Sequence, residues 1–430
     1  MINARRYRPT SSRFSTWILR YTVGAYIAGT YNAHAIGREI FDTVKPPFIL
    51  VGNHSCNMDP FLTNFFVPHP VHWVTSDGNL RSPLMRFLLI KLVGSIPKSK
   101  AIPDIETVNW IVEFIRKRKS VVGFYPEGQA TWDGTSLPSL VSTAKLVKLL
   151  KVPVICAVSR GAFMTKPRWS YRKRKGEMEI EFTQLLDPIN IKQLSVAEID
   201  ERLNKAIYHD DPAWAKEHGK RYSSAKRAER VDLALYVCPA CGKLQTMKSD
   251  GILVSCSACG FAAEYGEDGS FRSAATGNVG KPVCETMGGG NDRILFPSLH
   301  EWDRWQKAYL STLLEQDFAS APGRAIFFDE KVRLLRGKRM DKMESLGYGS
   351  LTLSSDGLTL RPENGKAISF EIKEIERPGV LKWNFFEFYV GMMVYRARFD
   401  DKTVSGYKYA MALELLIASR GNKENSTPIP

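Results

Sequence analysis

From Pro46 to about Pro188 the chain reads as strand, loop and helix in repeated alternation, and few folds accept that pattern. Strands are expected at 48–52, 71–75, 120–125, 152–158 and 178–182, with helices at 83–92 and 107–117 among the intervening stretches. Such alternation implies an α/β domain built on a largely parallel sheet with flanking helices. In sheets of that kind the functional groups collect at the carboxyl ends of the strands.

One of those ends carries His54. It follows the apolar run Phe48-Ile49-Leu50-Val51 and stands five positions before Asp59. In an unbroken helix a five-residue step turns two side chains apart, so they meet only if the chain bends between them. Asp59-Pro60 supplies the bend, read as a helix N-cap followed by proline at the first helical position. A carboxylate that accepts from one imidazole nitrogen fixes the tautomer and leaves the other nitrogen free to take a proton. His54 and Asp59 are therefore the candidate base and its orienter. A loop histidine beside a helix cap is the plainer reading of the same residues.

Phe124-Tyr125-Pro126-Glu127-Gly128 closes another apolar strand. There Glu127 offers a carboxylate to hydroxyl groups and Gly128 allows close backbone approach; alone, the stretch also reads as a plain strand-ending turn. Residues 93–100 set Lys98 and Lys100 on a glycine and proline loop, either a phosphate cradle or a solvated surface loop. Residues 151–155 read as a buried, structural strand.

The formal charge of +15 implies an anionic partner: nucleic acid, an anionic membrane surface, or phosphorylated small molecules. The densest basic run, 166–175, interleaves six lysines and arginines with Trp169 and Tyr171. It reads as a nucleic-acid patch, a grip on coenzyme A or lipid phosphates, or a solvated hairpin tip. Its place just before the last strand of the same domain favours membrane or substrate phosphates. Near the start, Arg13 and Arg20 share one stripe of a helix whose other faces carry Phe14, Trp17, Tyr21 and Tyr26. Such a helix packs into its own domain or lies in a lipid interface with its arginines at the headgroups. With no signal-peptide pattern and no run of eighteen apolar residues, the chain is expected to be cytoplasmic and peripheral on the cytoplasmic face of a membrane.

Four of the seven cysteines fall in two Cys-x-x-Cys-Gly turns, Cys238 with Cys241 and Cys256 with Cys259. Two such knuckles supply four thiolates for a tetrahedral, structural Zn2+ site, a zinc ribbon in which no coordination position stays open for catalysis. Lys243 and Lys248 stand there against Asp250, Glu264, Glu267 and Asp268, a poor balance for binding nucleic acid. Beyond a glycine- and serine-rich stretch, a helix at 299–316 precedes seven short alternating runs and an apolar helix at 407–417. That order is expected to give a mainly-β domain similar in architecture to a pleckstrin-homology barrel.

Taken in order, the four stretches around His54, Lys98, Glu127 and residues 151–155 resemble the four blocks of the glycerolipid acyltransferase family, whose first block reads Asn-His-x-x-x-x-Asp. The resemblance covers about residues 20–210 and includes the 1-acylglycerol-3-phosphate acyltransferases. It implies transfer of an acyl group from an acyl-CoA or acyl-ACP thioester to a lysophospholipid hydroxyl, with His54 and Asp59 catalytic and no covalent intermediate on Cys56. By the same resemblance Glu127 and Gly128 match the acceptor-binding block, and Lys98 and Lys100 fall where the family holds acceptor phosphate. Two positions depart from the pattern: Lys100 replaces the arginine that usually ends the second block, and Gln129-Ala130-Thr131 replaces Thr-Arg-Ser in the third. Lysine offers phosphate a point charge where arginine offers a bidentate fork. 1-Acylglycerol-3-phosphate is the first expected acceptor, with another lysophospholipid or lipid hydroxyl next. The implied partners are lysophospholipid, acyl thioester, acyl carrier protein and an anionic membrane surface, and not nucleic acid. A non-catalytic membrane-associated scaffold working through the ribbon and β domain is the rival, but a scaffold has no physical need for His54, Asp59 and Glu127. The expected division is an acyltransferase domain at 1–232, the ribbon at 233–268, a linker at 269–297 and the mainly-β domain at 298–420.

Overall fold

The computed structural model describes residues 9–424 apart from 11–12, 100–104, 275–294, 319–320 and 322. The first sheet has seven strands: β1 (Ala33–Ile36), β2 (Ile49–Gly52), β3 (Val71–Ser76), β4 (Ile96–Lys98), β5 (Val121–Phe124), β6 (Val154–Arg160) and β7 (Met178–Leu186). Their order is β1-β7-β6-β2-β5-β3-β4. Strands β2 to β6 run parallel, whereas β7 is antiparallel to β6 and carries β1 parallel to itself on the edge. Successive residues of β2 serve opposite faces: Leu50 joins Phe41, Leu62 and Trp73 on one side, while Ile49 and Val51 join Phe114, Val122 and Val147 on the other. A strand buried on both faces reads as an unbroken apolar run, which is why Phe48 to Gly52 stands out in the sequence.

The N-terminal region corrects its expectation twice. The helix, given no end by the sequence, stops at Thr30, and Ala33–Ile36 pair with β7. The helical stretch 13–30 also turns the other way round. Arg20 points into the protein, donating to the Asn64, Val67 and His69 carbonyls at the end of the helix Asp59–Phe66. Phe14, Trp17, Tyr21 and Tyr26 face solvent, with Phe14 70% and Tyr26 73% exposed. Those carbonyls lack helical partners, and an arginine satisfies them at the favourable end of the helix dipole.

The four cysteines sit beside a small antiparallel sheet in order β11-β10-β9-β8, with β8 Met247–Asp250, β9 Leu253–Cys256, β10 Ala262–Tyr265 and β11 Phe271–Ser273. The segment expected to start the linker at 269 therefore opens with a strand, because Phe271 buries against Tyr265 and Trp302. Residues 275–294, the rest of that expectation, lie outside the described residues.

The C-terminal sheet has seven antiparallel strands: β12 (Ala325–Lys338), β13 (Glu344–Ser354), β14 (Gly357–Pro362), β15 (Ile368–Glu371), β16 (Glu376–Leu381), β17 (Phe385–Val390) and β18 (Met393–Phe399). Their order is β15-β14-β13-β12-β18-β17-β16, so the edges β15 and β16 stay unpaired with each other and the sheet is a half-barrel. The terminal helix Gly406–Glu424 packs on it. Two runs expected as separate strands, 325–328 and 332–335, are one bulged strand: the register shifts between Asp329 and Val332, so a break in alternation imitates a turn.

One continuous core runs from Trp132, Phe163 and Trp169 through the ribbon and the helix Leu299–Leu313 into the half-barrel. The half-barrel also grips the parallel-sheet region directly. Arg81 reaches Glu387 at 2.6 Å, Tyr389 donates to Asp77 at 3.0 Å, and Arg168 donates to Ala130 O at 2.6 Å and Val380 O at 2.5 Å.

Candidate active site

His54 is the second residue of the loop after β2, and three hydrogen bonds hold it. Its Nδ1 donates to Asp59 Oδ2 at 2.9 Å. Its backbone N–H donates to Glu127 Oε1 at 2.6 Å, and its carbonyl accepts from Thr131 N–H at 3.0 Å. Asp59, fully buried, is the first residue of its helix, and its carboxylate turns backwards. Oδ2 also accepts from the Ser55 and Cys56 amides at 2.7 and 2.9 Å, and Oδ1 accepts from the Cys56 thiol at 3.1 Å. The bend expected between His54 and Asp59 is thus a loop wrapped around one carboxylate.

Because an ionised carboxylate only accepts, Nδ1 carries the proton and Nε2 keeps its lone pair. Among the described residues nothing hydrogen-bonds Nε2, and the side chain is 19% exposed. The imidazole stacks on Tyr125 at 4.5 Å, and Tyr125 stacks on Trp73 at 5.0 Å. Gly123 makes this possible: a Cβ there would fall 2.7–2.9 Å from Val71 and Trp73, so only glycine lets the indole lie on β5. Asn53 extends the sheet by its side chain, accepting from Ser159 N–H at 2.7 Å and donating to Ser159 O at 2.9 Å. Sequence reasoning gave Tyr125, Trp73, Asn53 and Thr131 no supporting role. Asn53, which opens the Asn-His-x-x-x-x-Asp block, and Tyr125, directly before Pro126-Glu127-Gly128, left a signal.

Glu127 comes to His54 in a different manner from that expected. Its carboxylate is turned inward and 6% exposed, with Oε2 accepting from Leu137 N–H at 2.7 Å, so both oxygens accept from backbone amides. Gly128 supplies the left-handed turn (φ 76°) that aims it. Burial pushes the Glu127 carboxyl up to about 8, against the pull of the two amides, which favour its ionised form. A folded value above the ordinary 4.5 contributes stability that is present below that value and is lost as pH climbs through about 8. Glu127→Gln is expected to flatten this loss in thermal unfolding between the ordinary 4.5 and about 8. It also turns an NH2 against one of the two amides, at a cost of about 1–3 kcal/mol. That corresponds to about tenfold to a hundredfold in kcat if the His54 loop shifts. An unchanged pH profile of unfolding would remove Glu127 from this role.

The Cys56 thiol is pushed well above its ordinary range by burial and by Asp59, so it stays protonated and donates. It is a poor nucleophile there. Lys98 ends β4, beside Ser76 of β3. Three strand spacings separate β4 from β2, about 14 Å, so Lys98 serves at most the far end of a ligand whose near end meets His54. Lys100 lies outside the described residues.

Five of the ten residues of the basic run 166–175 are buried, an interior role that none of its three readings included. Trp169 is fully buried, Arg168 lies over Trp132, and Arg174 donates to the Met164 and Arg227 carbonyls. Tyr171, Arg172, Lys173 and Lys175 remain at the surface.

The sulfurs of Cys238, Cys241, Cys256 and Cys259 converge within 4.8 Å of one another. The pairs Cys238–Cys259 and Cys241–Cys256 are 3.7 and 3.8 Å apart. A tetrahedron with sulfurs about 2.3 Å from its centre has edges of about 3.8 Å, so the four side chains fit one zinc ion.

An imidazole tied through one nitrogen to a buried carboxylate, with the other nitrogen open at the carboxyl end of a parallel sheet, is the arrangement that general-base chemistry requires. Residues 31–160 match the family model described as Acyltransferase. That segment carries His54, Asp59 and Glu127. Over 179 residues the chain is 26% identical to the 1-acyl-sn-glycerol-3-phosphate acyltransferase of Saccharomyces cerevisiae, a match that spans 40% of this chain and 57% of that relative. Among solved structures, that of the 1-acyl-sn-glycerophosphate (LPA) acyltransferase PlsC from Thermotoga maritima aligns with 52% of this chain and 86% of its own, at 17% identity and a TM-score of 0.40. A chain of the 8S snRNP assembly intermediate aligns with 23% of this chain and 87% of its own, at 16% identity and a TM-score of 0.19.

Proposed function

We propose that the protein is an O-acyltransferase that moves a fatty acyl group from an acyl-CoA or acyl-ACP thioester to the hydroxyl of a lysophospholipid, 1-acylglycerol-3-phosphate first, in phospholipid synthesis. The observation that carries this is the 2.9 Å contact from His54 Nδ1 to Asp59, with Nε2 left open. As the acceptor oxygen attacks the thioester carbonyl, Nε2 takes its proton, and Asp59 favours the imidazolium that forms. Collapse of the tetrahedral intermediate breaks the carbon–sulfur bond, and the imidazolium returns the proton to the departing thiolate. Glu127, Thr131 and Tyr125 are positioning residues that hold the ring at this angle. The domain at 1–232 carries the reaction, with Lys98 and Lys100 toward the acceptor phosphate. The ribbon at 233–268 would hold zinc through Cys238, Cys241, Cys256 and Cys259; the metal supplies rigidity, since four thiolates leave it no open position.

The test is thiol release from acyl-CoA and acyl-ACP against a panel of lysophospholipids, 1-acylglycerol and no acceptor. Acceptor-dependent release, largest with 1-acylglycerol-3-phosphate, is the expected result; release independent of acceptor would leave only a thioesterase.

Lipid substrates call for a membrane surface, and the exposed face of the helical stretch 13–30 offers one. No helix among the described residues is long and apolar enough to cross a bilayer. Phe14, Trp17, Tyr21 and Tyr26 form an aromatic face of the kind that settles at the headgroup level, where the positive chain meets anionic lipid on the cytoplasmic side. The double change Trp17→Ser and Tyr26→Ser is expected to lower co-sedimentation with anionic vesicles about tenfold or more, with activity on micellar substrate kept. Equal sedimentation would place the contact elsewhere.

A further inference from the structure

Arg230 is an anomaly that the acyl-transfer site does not absorb. It is 7% exposed, and all three nitrogens of its guanidinium are buried without a hydrogen-bond partner. Its backbone is left-handed, φ 75°, and is pinned by the Arg230 amide donating to Ser249 at 2.7 Å. The guanidinium lies 3.7 Å from the ring of Trp383, in the turn between β16 and β17, and 5.8 Å from the ring of Tyr171 in the basic run. Three separate segments thus converge on one cation.

Aromatic rings satisfy the faces of a guanidinium through cation–π attraction and do nothing for its edge, where the five N–H bonds lie in one plane. The nearest carboxylates do not supply the missing acceptors. Asp232 accepts from Ser249, Glu229 stands 3.9 Å from Lys226, and neither makes an ion pair with Arg230 among the described residues. Lys166 and Lys402 add positive charge. Lys166 lies within electrostatic range of Arg230, and the Lys402 ammonium sits 5.9 Å from the Tyr171 ring. Tyr171 and Lys402 are exposed, so the cluster opens to solvent on that side. A planar fork held between rings, with cations around it, matches the oxygens of a phosphate.

We propose that Arg230, with Lys166, Lys402 and the rings of Trp383 and Tyr171, forms a binding site for the phosphate of a phosphate-bearing ligand, distinct from the His54 centre. The site adjoins that centre. Lys166 also feels the Cys56 thiol, and Arg168, two residues on, ties Ala130 to Val380 near the turn that carries Trp383. Two sources fit the same chemistry: the nucleotide phosphates of a coenzyme A thioester, or the phosphate of the lipid acceptor. Only this choice rests on the proposed acyl transfer; binding itself is measured without turnover, so the two ideas fail separately.

The experiment measures equilibrium binding of pyrophosphate and of free coenzyme A to the full chain and to Arg230→Met, which keeps the stacking length without the fork. Arg230→Lys, which keeps charge alone, carries the test should the methionine variant not fold. Wild-type binding that weakens tenfold or more in either variant, with thermal unfolding unchanged, is the expected result. A wild type that binds neither probe, or variants that bind as tightly as wild type, overturns the proposal and leaves Arg230 as glue between segments. The KM values then assign the source. A rise for acyl-CoA but not for acyl-pantetheine, which lacks the nucleotide, places the donor there. A rise for 1-acylglycerol-3-phosphate but not for 1-acylglycerol places the acceptor there. Weakened binding with both KM values unchanged identifies a third phosphate compound as the ligand.

Discussion

His54→Ala is expected to lower kcat for acceptor-dependent thiol release about a thousandfold or more, the scale on which a positioned base contributes. Neither the KM for the thioester nor the unfolding temperature should move much, because the imidazole is partly exposed and its carboxylate partner keeps three other donors. Asp59→Asn makes a sharper test. All three N–H donors, from His54, Ser55 and Cys56, converge on Oδ2, and Oδ1 meets only the Cys56 sulfur. An asparagine oxygen can therefore stand in for Oδ2 while its NH2 faces sulfur, so the tautomer survives and only the negative charge is lost. The expected fall is about a hundredfold, the price of an unstabilised imidazolium. Asp59→Ala should do more damage, because it also orphans two buried amides. Thiol release by His54→Ala at the wild-type rate would end the assignment of the base.

Much of this site was legible because its key contacts are local. Five residues separate His54 from Asp59, and the proline after Asp59 marks where the chain must turn. The parallel sheet was equally legible, since strands buried on both faces print themselves as apolar runs. What stayed hidden depends on distant backbone. Arg20 points inward because three carbonyls 44–49 residues away need donors, and a helical wheel knows only its own faces. Arg168 of the basic run read as solvent-facing because one of its acceptors, Val380 O, comes from another sheet 212 residues on. Strand β1 could not be told from helix end, having four residues and no alternation of burial. The backbone partners of Glu127 were not foreseen, because a carboxylate in a sequence advertises itself to hydroxyls and amides alike.

Loss of metal from the four cysteines should have the largest effect on stability. Cys238 and Cys256 are buried, and the first knuckle is locked into its neighbours. A Cβ on Gly242 would fall 2.3 Å from the Tyr309 hydroxyl, so the helix Leu299–Leu313 lies directly on the turn. Gln306 of that helix accepts from the Tyr236 amide at 3.0 Å and donates to Ala234 O at 2.7 Å, just ahead of the knuckle. Asp303 accepts from Tyr407 at 2.9 Å, which ties in the terminal helix. Four converging thiols without an ion leave this junction unsupported, and the damage spreads through the shared core into the half-barrel. The two cores flanking the parallel sheet are separate from it. Chelation, or Cys241→Ser with Cys259→Ser, is therefore expected to split unfolding into two steps, the C-terminal one lower by about 10 °C or more. Activity should fall too, because Arg168 connects Val380 to Ala130, next to the Thr131 amide that holds the His54 carbonyl. Elemental analysis should find one zinc per chain before chelation and none after. A folded wild type with no metal, or single-step unfolding unchanged by chelator, would remove zinc from the structure and with it the coupling of the ribbon to the half-barrel.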